Sequence, residues 1–297
     1  MEKIIKKVEI KKKVLCALCF SVSLLSCKKE IQYKGEGKDP VLVLNGLVEN
    51  DSTFKVYLEK SSFFISNDPE ENNFIKTGAN LKLTNVSSGE VFTMNQSTVD
   101  NVYEFPFVTP PNTKFKIEVS YPNYPSISSE MTSVSKVDLI NVDTSSYSTT
   151  KGLMKKAVLK WNDPIGENYY MVKVINTQAQ SSSSYDEYFT SKDQSITDNV
   201  NLDGSENYYQ EIYLTDELFE GKLKQLEVNF MTFNLNPPLK YTYKLITISK
   251  EIYLYGVAIR KNANVDGVLT GEPVKVYSNI SEGLGIFGSM SLSEIIK

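Results

Sequence analysis

Apolar and polar residues alternate one by one along much of the chain from Pro40 onward. Val41 and Val43 lead past Asn45-Gly46 to Leu47, and Phe54, Val56 and Leu58 alternate with Lys55, Tyr57 and Glu59. Leu81 and Leu83 alternate with Lys82 and Thr84. Ser87-Ser88-Gly89 then marks a turn into Val91-Phe92-Thr93-Met94. Tyr103, Phe105 and Phe107 follow, and Pro106 among them places that strand at a sheet edge or a strand end, because proline cannot donate to a ladder. Phe115, Ile117 and Val119 alternate with Lys116 and Glu118, and Pro122 and Pro125 close the series. A period of two is that of a half-buried strand, whose successive side chains point to opposite faces.

A second series begins beyond residue 133. Val134 to Val142 runs into the Ser/Thr-rich stretch Thr144 to Thr150, and Ala157-Val158-Leu159-Lys160-Trp161 follows. Asp163-Pro164 makes a turn before Tyr169-Tyr170-Met171-Val172-Lys173-Val174. Trp161, the only tryptophan, is expected in the core. Tyr208 to Leu214, Leu226 to Phe233, Tyr241 to Ile248 and Pro273 to Tyr277 read as further strands, with Asn236-Pro237-Pro238 a turn. One or two short helices are expected. One starts at Thr215-Asp216-Glu217, a hydroxyl cap with acids at the positive end of the dipole. The other runs from a Ser249 cap to about Asn262, with Ile252, Tyr255 and Ile259 on one face and Gly256 as a break in propensity. The predicted class is mainly β. It comprises two β-sandwich domains: an immunoglobulin- or transthyretin-like one at 40–132, and a fibronectin III-like one at 133–297 that carries the helices.

The start of the chain is different. Residues 1–13 are lysine-rich, and Val14 to Ser26 is an apolar run of 13 residues. A spanning helix needs roughly 20, so this is the length of a signal-peptide core. Leu24-Leu25-Ser26-Cys27 then matches the bacterial lipobox, with Ser26 as the small residue at the cut. The expectation is a signal peptide at 1–26, lipidation with palmitate-type chains at Cys27, and a polar tether at 27–39. A plain secretory signal with an incidental cysteine, or an uncleaved anchor, is the alternative. Two or more acyl chains hold a protein stably at a membrane where one does not. Lys28-Lys29 does not resemble the inner-membrane retention signal, so the outer membrane is expected. Glu30 makes a partial match to the Lys-acidic surface-export signals of Bacteroidota lipoproteins.

Composition narrows the chemistry. The chain of 297 residues has no histidine and three cysteines, Cys16, Cys19 and Cys27. Serine or cysteine triads built on histidine, and the common zinc sites, are thereby excluded. No disulfide is possible once the leader is removed. Of 32 basic and 36 acidic residues, six lysines and two glutamates lie in 1–26, which leaves 26 against 34. An acidic body with a single arginine, Arg260, argues against nucleic acid and against bidentate anion clamps.

Three motifs invite chemistry, and each has a plainer reading. The insert 63–76 holds Asp68, Glu70 and Glu71 and reads as a solvated loop. Asn199-Val200-Asn201-Leu202-Asp203-Gly204 imitates a calcium loop, but Asn199 and Gln210 stand where an acidic first ligand and a bidentate glutamate are required. A polar hairpin is the default reading of 199–210, and a calcium site is the alternative. Gly283-Leu284-Gly285-Ile286-Phe287-Gly288 spells a dinucleotide fingerprint but lacks the helix and acidic residue that should follow, so its glycines are expected to permit close backbone approach in a final strand. No catalytic, cofactor or metal residue is assigned, and the expectation is a protein that is not an enzyme.

Glu272-Pro273-Val274-Lys275-Val276-Tyr277-Ser278-Asn279-Ile280 followed by Gly283 to Gly288 resembles the C-terminal signature of the domain of unknown function 4249 family of Bacteroidota lipoproteins. Leu44-Asn45-Gly46, Lys60-Ser61, and Asp163 through Asn168-Tyr169-Tyr170 fit the same family. Glu282 stands where the family commonly has a second glycine. Members of this family are typically encoded beside outer-membrane TonB-dependent receptors with a carboxypeptidase-like regulatory domain. The resemblance therefore implies a lipid-anchored accessory or binding protein that partners such a receptor in nutrient uptake. The alternative is a structural or adhesive cell-surface lipoprotein. A hydrolase using carboxylates or a Ser-Lys pair is a third reading, although no spacing singles out a pair.

Overall fold

Strands β1 (Leu42–Glu49) and β2 (Thr53–Lys60) form where alternation is cleanest, and each buries every second side chain: Leu42, Leu44 and Val48 on one, Phe54, Val56 and Leu58 on the other. The computed structural model describes residues 39–62, 73–96, 102–177, 184–197, 207–236, 238–265 and 275–297, and Pro40–Lys297 is one compact unit. Cys27 lies outside the described residues, as do 63–72 of the acidic insert and 198–206 of the calcium-like loop.

The architecture is mainly β, as expected. β3 (Thr77–Asn85), β4 (Val91–Gln96), β6 (Lys114–Ser120) and β7 (Ile127–Thr132) make a four-stranded sheet in the order β4-β3-β6-β7. It packs on β1, β2 and β5 (Val102–Val108) through a core that includes Phe54, Leu83, Phe105 and Phe115. The Phe54 ring stands edge-on to Phe105 at 5.7 Å and to Phe115 at 5.5 Å, the favoured geometry for aromatic pairs. β5 ends its sheet, so Pro106 sits on an edge strand as its missing N–H demands.

The second sandwich sets β8 (Leu139–Thr149), β9 (Gly152–Asn162) and β13 (Leu223–Met231), ordered β13-β9-β8, against a face of four further strands. These are β10 (Tyr169–Thr177), β11 (Ser184–Asp186), β12 (Glu211–Thr215) and β14 (Lys240–Ile248). Trp161 is fully buried in the core between the two sheets, 5.5 Å from the Tyr170 ring and 6.0 Å from Phe219. Tyr169 and Tyr170 point to opposite faces of β10. Tyr170 enters this core, while Tyr169 packs under the helix α1 (Lys250–Val265) with Ile248, Ile252 and Tyr253.

One strand joins the two sandwiches. β15 (Leu284–Ile296) lies parallel to β1 on one side and antiparallel to β14 on the other, giving the sheet β11-β10-β14-β15-β1-β2-β5 with β12 also on β10. The run Gly283 to Gly288 thus opens a strand and not a phosphate-binding turn. Gly285 has φ +106° and any Cβ there would lie 2.1 Å from the Leu44 carbonyl oxygen, so only glycine fits beside β1. Ser289, Ser291 and Ser293 are all buried. Ser289 and Ser293 accept the N–H groups of Val134 and Leu139 at 3.3 and 2.9 Å, and Thr247 Oγ1 accepts that of Val137 at 3.2 Å. Small hydroxyl side chains thereby hold the connector between the sandwiches against β14 and β15.

Four local expectations change. Residues 216–221 form turns and not a helix: the buried Asp216 carboxylate accepts the Asn168 N–H at 2.7 Å, which ties it to the neighbouring loop instead of to helix N–H groups. Residues 275–277 are irregular and not strand. Asn279 substitutes for a partner strand, its amide donating to the Phe287 carbonyl at 2.7 Å and accepting the Phe287 N–H at 2.9 Å. Ser249 does precede α1, its carbonyl accepting the Tyr253 N–H, but its hydroxyl accepts the Ser289 N–H at 3.3 Å instead of capping. The buried face of α1 is Ile252, Tyr253, Gly256 and Val257, and Ile259 is exposed. The stripe is rotated because the helix approaches the sheet through Gly256.

Candidate functional site

The hairpin of β8 and β9 extends past the core: residues 143–149 are all exposed, as is the turn at Thr150-Lys151. Outward-facing side chains of β13 continue the same surface, because Asn229 pairs with Lys156 and Met231 with Met154. A cleft of about 820 Å³ lies on this surface, within the range of small-ligand sites. Tyr147, Met154 and the Thr149–Lys151 turn bound one side. Segment 187–193 and Tyr208 bound the other, and Gln225, Glu227 and Asn229 form the floor.

The floor is ordered by its own hydrogen bonds. The Tyr147 hydroxyl donates across β9 to Asn229 Oδ1 at 3.1 Å, and Asn229 Nδ2 donates to Glu227 Oε1 at 3.1 Å. Glu227 is ion-paired with Lys156, and its carboxyl lies below the usual range because Lys156 and Asn229 donate to it. Thr190 fixes the far wall by exchanging backbone bonds with Asn229 at 2.8 and 2.9 Å. Glu187 is half-buried and accepts from Asn176 Nδ2 at 3.1 Å, and burial pushes its carboxyl up.

The paired tyrosines divide their roles by strand parity. Tyr209 is buried beside Phe189, whereas Tyr208 is 60% exposed at the cleft mouth with Tyr188 at 57%. The cleft itself was not legible in the sequence. The Tyr208-Tyr209 pair, set in polar surroundings, was its one visible signal.

A Ser-Lys contact does exist. Lys224 Nζ lies 2.9 Å from Ser195 Oγ, but it also donates to both Asp193 oxygens at 2.7 and 2.8 Å, and the Ser195 hydroxyl donates to Asp193. Lys224 is thereby engaged as an ion-pair donor to Asp193, and Ser195 donates to the same carboxylate. The cluster locks segment 191–195 to β13.

Asp163 is likewise structural. Nearly buried, it accepts the Tyr170 hydroxyl and the Gly221 N–H at 2.8 Å. Burial raises its carboxyl, and desolvation with Asp163 alongside pushes Tyr170 up. Arg260, the single arginine, donates to the carbonyls of Glu211 and Thr197 and stacks over Tyr209 and Tyr213 at 5.5 and 5.6 Å. It braces α1 against β12 and the 197 segment.

Among the described residues no three acidic or cysteine side chains are grouped as a metal would need, and no helix is long and apolar enough to cross a membrane.

These locks coincide with the sequence signature. Asn279 ties to Phe287, Gly285 lies against Leu44, Asp163 holds Tyr170, and Asn168 binds Asp216. Glu282 has φ +59°, the left-handed backbone that favours glycine. No curated protein matches the chain at a significant level. Residues 28–296 match the family described as Domain of unknown function (DUF4249), and the chain belongs to that family.

Proposed function

We propose that the protein is a non-catalytic binding accessory, held at the outer membrane by lipid on Cys27 and working with a TonB-dependent receptor in nutrient uptake. The observation that carries the binding role is the open cleft on the β13-β9-β8 sheet, whose aromatic rims are exposed while its acids Glu227 and Asp193 are held by lysines. Such a surface offers contact area and hydrogen bonds rather than a poised nucleophile. Anchoring is supported by the 13-residue apolar run ending at Cys27, and the receptor partnership by family resemblance.

The test is made in cells. Wild-type protein should label with palmitate, fractionate with outer membranes and bring a TonB-dependent receptor with it through mild-detergent affinity purification. Cys27→Ala should lose the label and leave the membrane. Wild-type protein that is unlabelled and soluble would overturn the anchor. Repeated purification of the labelled protein without a receptor would overturn the partnership.

A further inference from the structure

We propose that the cleft between the β8–β9 turn and segment 187–193 is a binding site for an uncharged oligosaccharide. This rests on the reading of the protein as a binding accessory and adds the class of ligand.

Three features of the cleft select that class. Its rims carry tyrosines that expose large parts of their rings: Tyr147 at 42%, Tyr188 at 57% and Tyr208 at 60%. Exposed tyrosine gives broad apolar contact at small entropic cost together with a hydroxyl for hydrogen bonding. A pyranose ring matches it, having a C–H face and a rim of hydroxyls.

The floor consists of amide and carboxylate groups, Gln225, Asn229 and Glu227, with Glu187 to one side. Asn229, Glu187 and Glu227 present their groups at fixed positions because Tyr147, Asn176 and Lys156 already orient them. Hydroxyl groups, which both donate and accept, satisfy such a mixture. A site built to bond hydroxyls discriminates well against ligands lacking them.

The charges are close to balance. Glu227 pairs with Lys156 and Asp193 with Lys224, so a cationic ligand meets acids that are already neutralised. With those pairs cancelled, an anionic ligand would meet Glu187 beside Lys151 and Lys192, a net of one positive charge. Neither sign has a strong field to exploit.

A peptide added as an extra strand is disfavoured by the same geometry. Such a ligand needs unpaired backbone groups on a sheet edge. At Asn229 the β13 edge is closed by the two backbone bonds to Thr190. Side chains, not backbone, face the cleft there.

The test uses the lipid-anchored protein in mild detergent and isothermal titration. The probes are the neutral hexasaccharides of cellulose, xylan, starch and mannan, with hexagalacturonic acid and a tyrosine-rich hexapeptide as comparisons. At least one neutral hexasaccharide should bind saturably, with affinity unchanged when salt is raised. Tyr188→Ala and Tyr208→Ala, both exposed and safe for folding, should each weaken it on the order of tenfold or more. Tyr57→Ala on β2, 43% exposed and distant in the fold, should leave it unchanged. No saturable binding across the neutral set would overturn the proposal. So would binding insensitive to both cleft variants, or a salt-dependent preference for the acidic sugar or the peptide. None of these outcomes bears on palmitate labelling or receptor recovery, so failure here is distinguishable from failure of the accessory role.

Discussion

Lys224 is 8% exposed, lies 4.6 Å above the Phe219 ring and is clamped by Asp193. Removing its charge alone strands a carboxylate in a mostly dry site. Lys224→Met should therefore destabilise the protein by about 3 kcal/mol, whereas the double variant Asp193→Leu/Lys224→Met should recover most of that loss. Chemical denaturation of the two variants measures both. The pH dependence has a definite sign. Burial by itself would raise the Asp193 carboxyl, but hydrogen bonds from Lys224 and Ser195 hold it below the ordinary 3.8. A carboxyl lowered in the folded state stabilises above its unfolded value, and that contribution is lost as pH falls through the folded value. The gap between wild type and Lys224→Met should thus be full at neutral pH and begin to shrink above the ordinary 3.8, because the variant's Asp193 keeps its burial without the lysine and takes up a proton first. A gap constant across pH would mean that packing against Phe219, not charge, is what was lost. The pair was invisible beforehand, since Asp193 and Lys224 are 31 positions apart and neither stands in a pattern.

At the scale of the element, α1 shows how packing overrules propensity. Gly256 weakens the helix by about 1 kcal/mol relative to alanine. A Cβ at that position would nevertheless lie 2.3 Å from the Tyr213 ring, which itself is buried beneath the helix. Gly256→Ala should accordingly raise the helicity of an isolated 250–265 peptide, read by circular dichroism. In the whole protein it should lower stability by about 1–3 kcal/mol, the usual cost of overpacking, read as a lower urea midpoint. A variant at least as stable as wild type would show that the ring yields freely. The same competition explains why the apolar stripe read as Ile252, Tyr255 and Ile259 turned toward Tyr253 and Val257. It also explains why the acids after Thr215 made no helix: Asp216 found the Asn168 loop first. Period-two strands were legible because half-burial is a local pattern. Residues 275–277 were misread because their alternation is local too, while the pairing that β1 and β15 make is not.

For the whole molecule, two cores are bridged by one sheet. Trp161 reports only on the core between β9 and β10, whereas far-ultraviolet circular dichroism reports on all strands. Because β15 pairs with β1 over Val43–Glu49 and with β14 over Thr242–Ile248, neither sandwich keeps its sheet when the other unfolds. Urea unfolding followed by the two probes should therefore coincide in midpoint, the mark of a single cooperative transition. An earlier dichroism transition at constant Trp161 fluorescence would show that the 40–132 sandwich melts by itself. Alternation and the placement of proline and glycine were enough to establish mainly β structure, a core tryptophan, a sheet edge or strand end at Pro106 and a glycine-requiring final strand. Each of those is a property of a few neighbouring residues. The joining of β15 to β1, the Lys224–Asp193 clamp and the tyrosine-rimmed cleft each bring together residues far apart in the chain. Those distant contacts are selected by how whole faces bury one another, which only the tertiary structure decides.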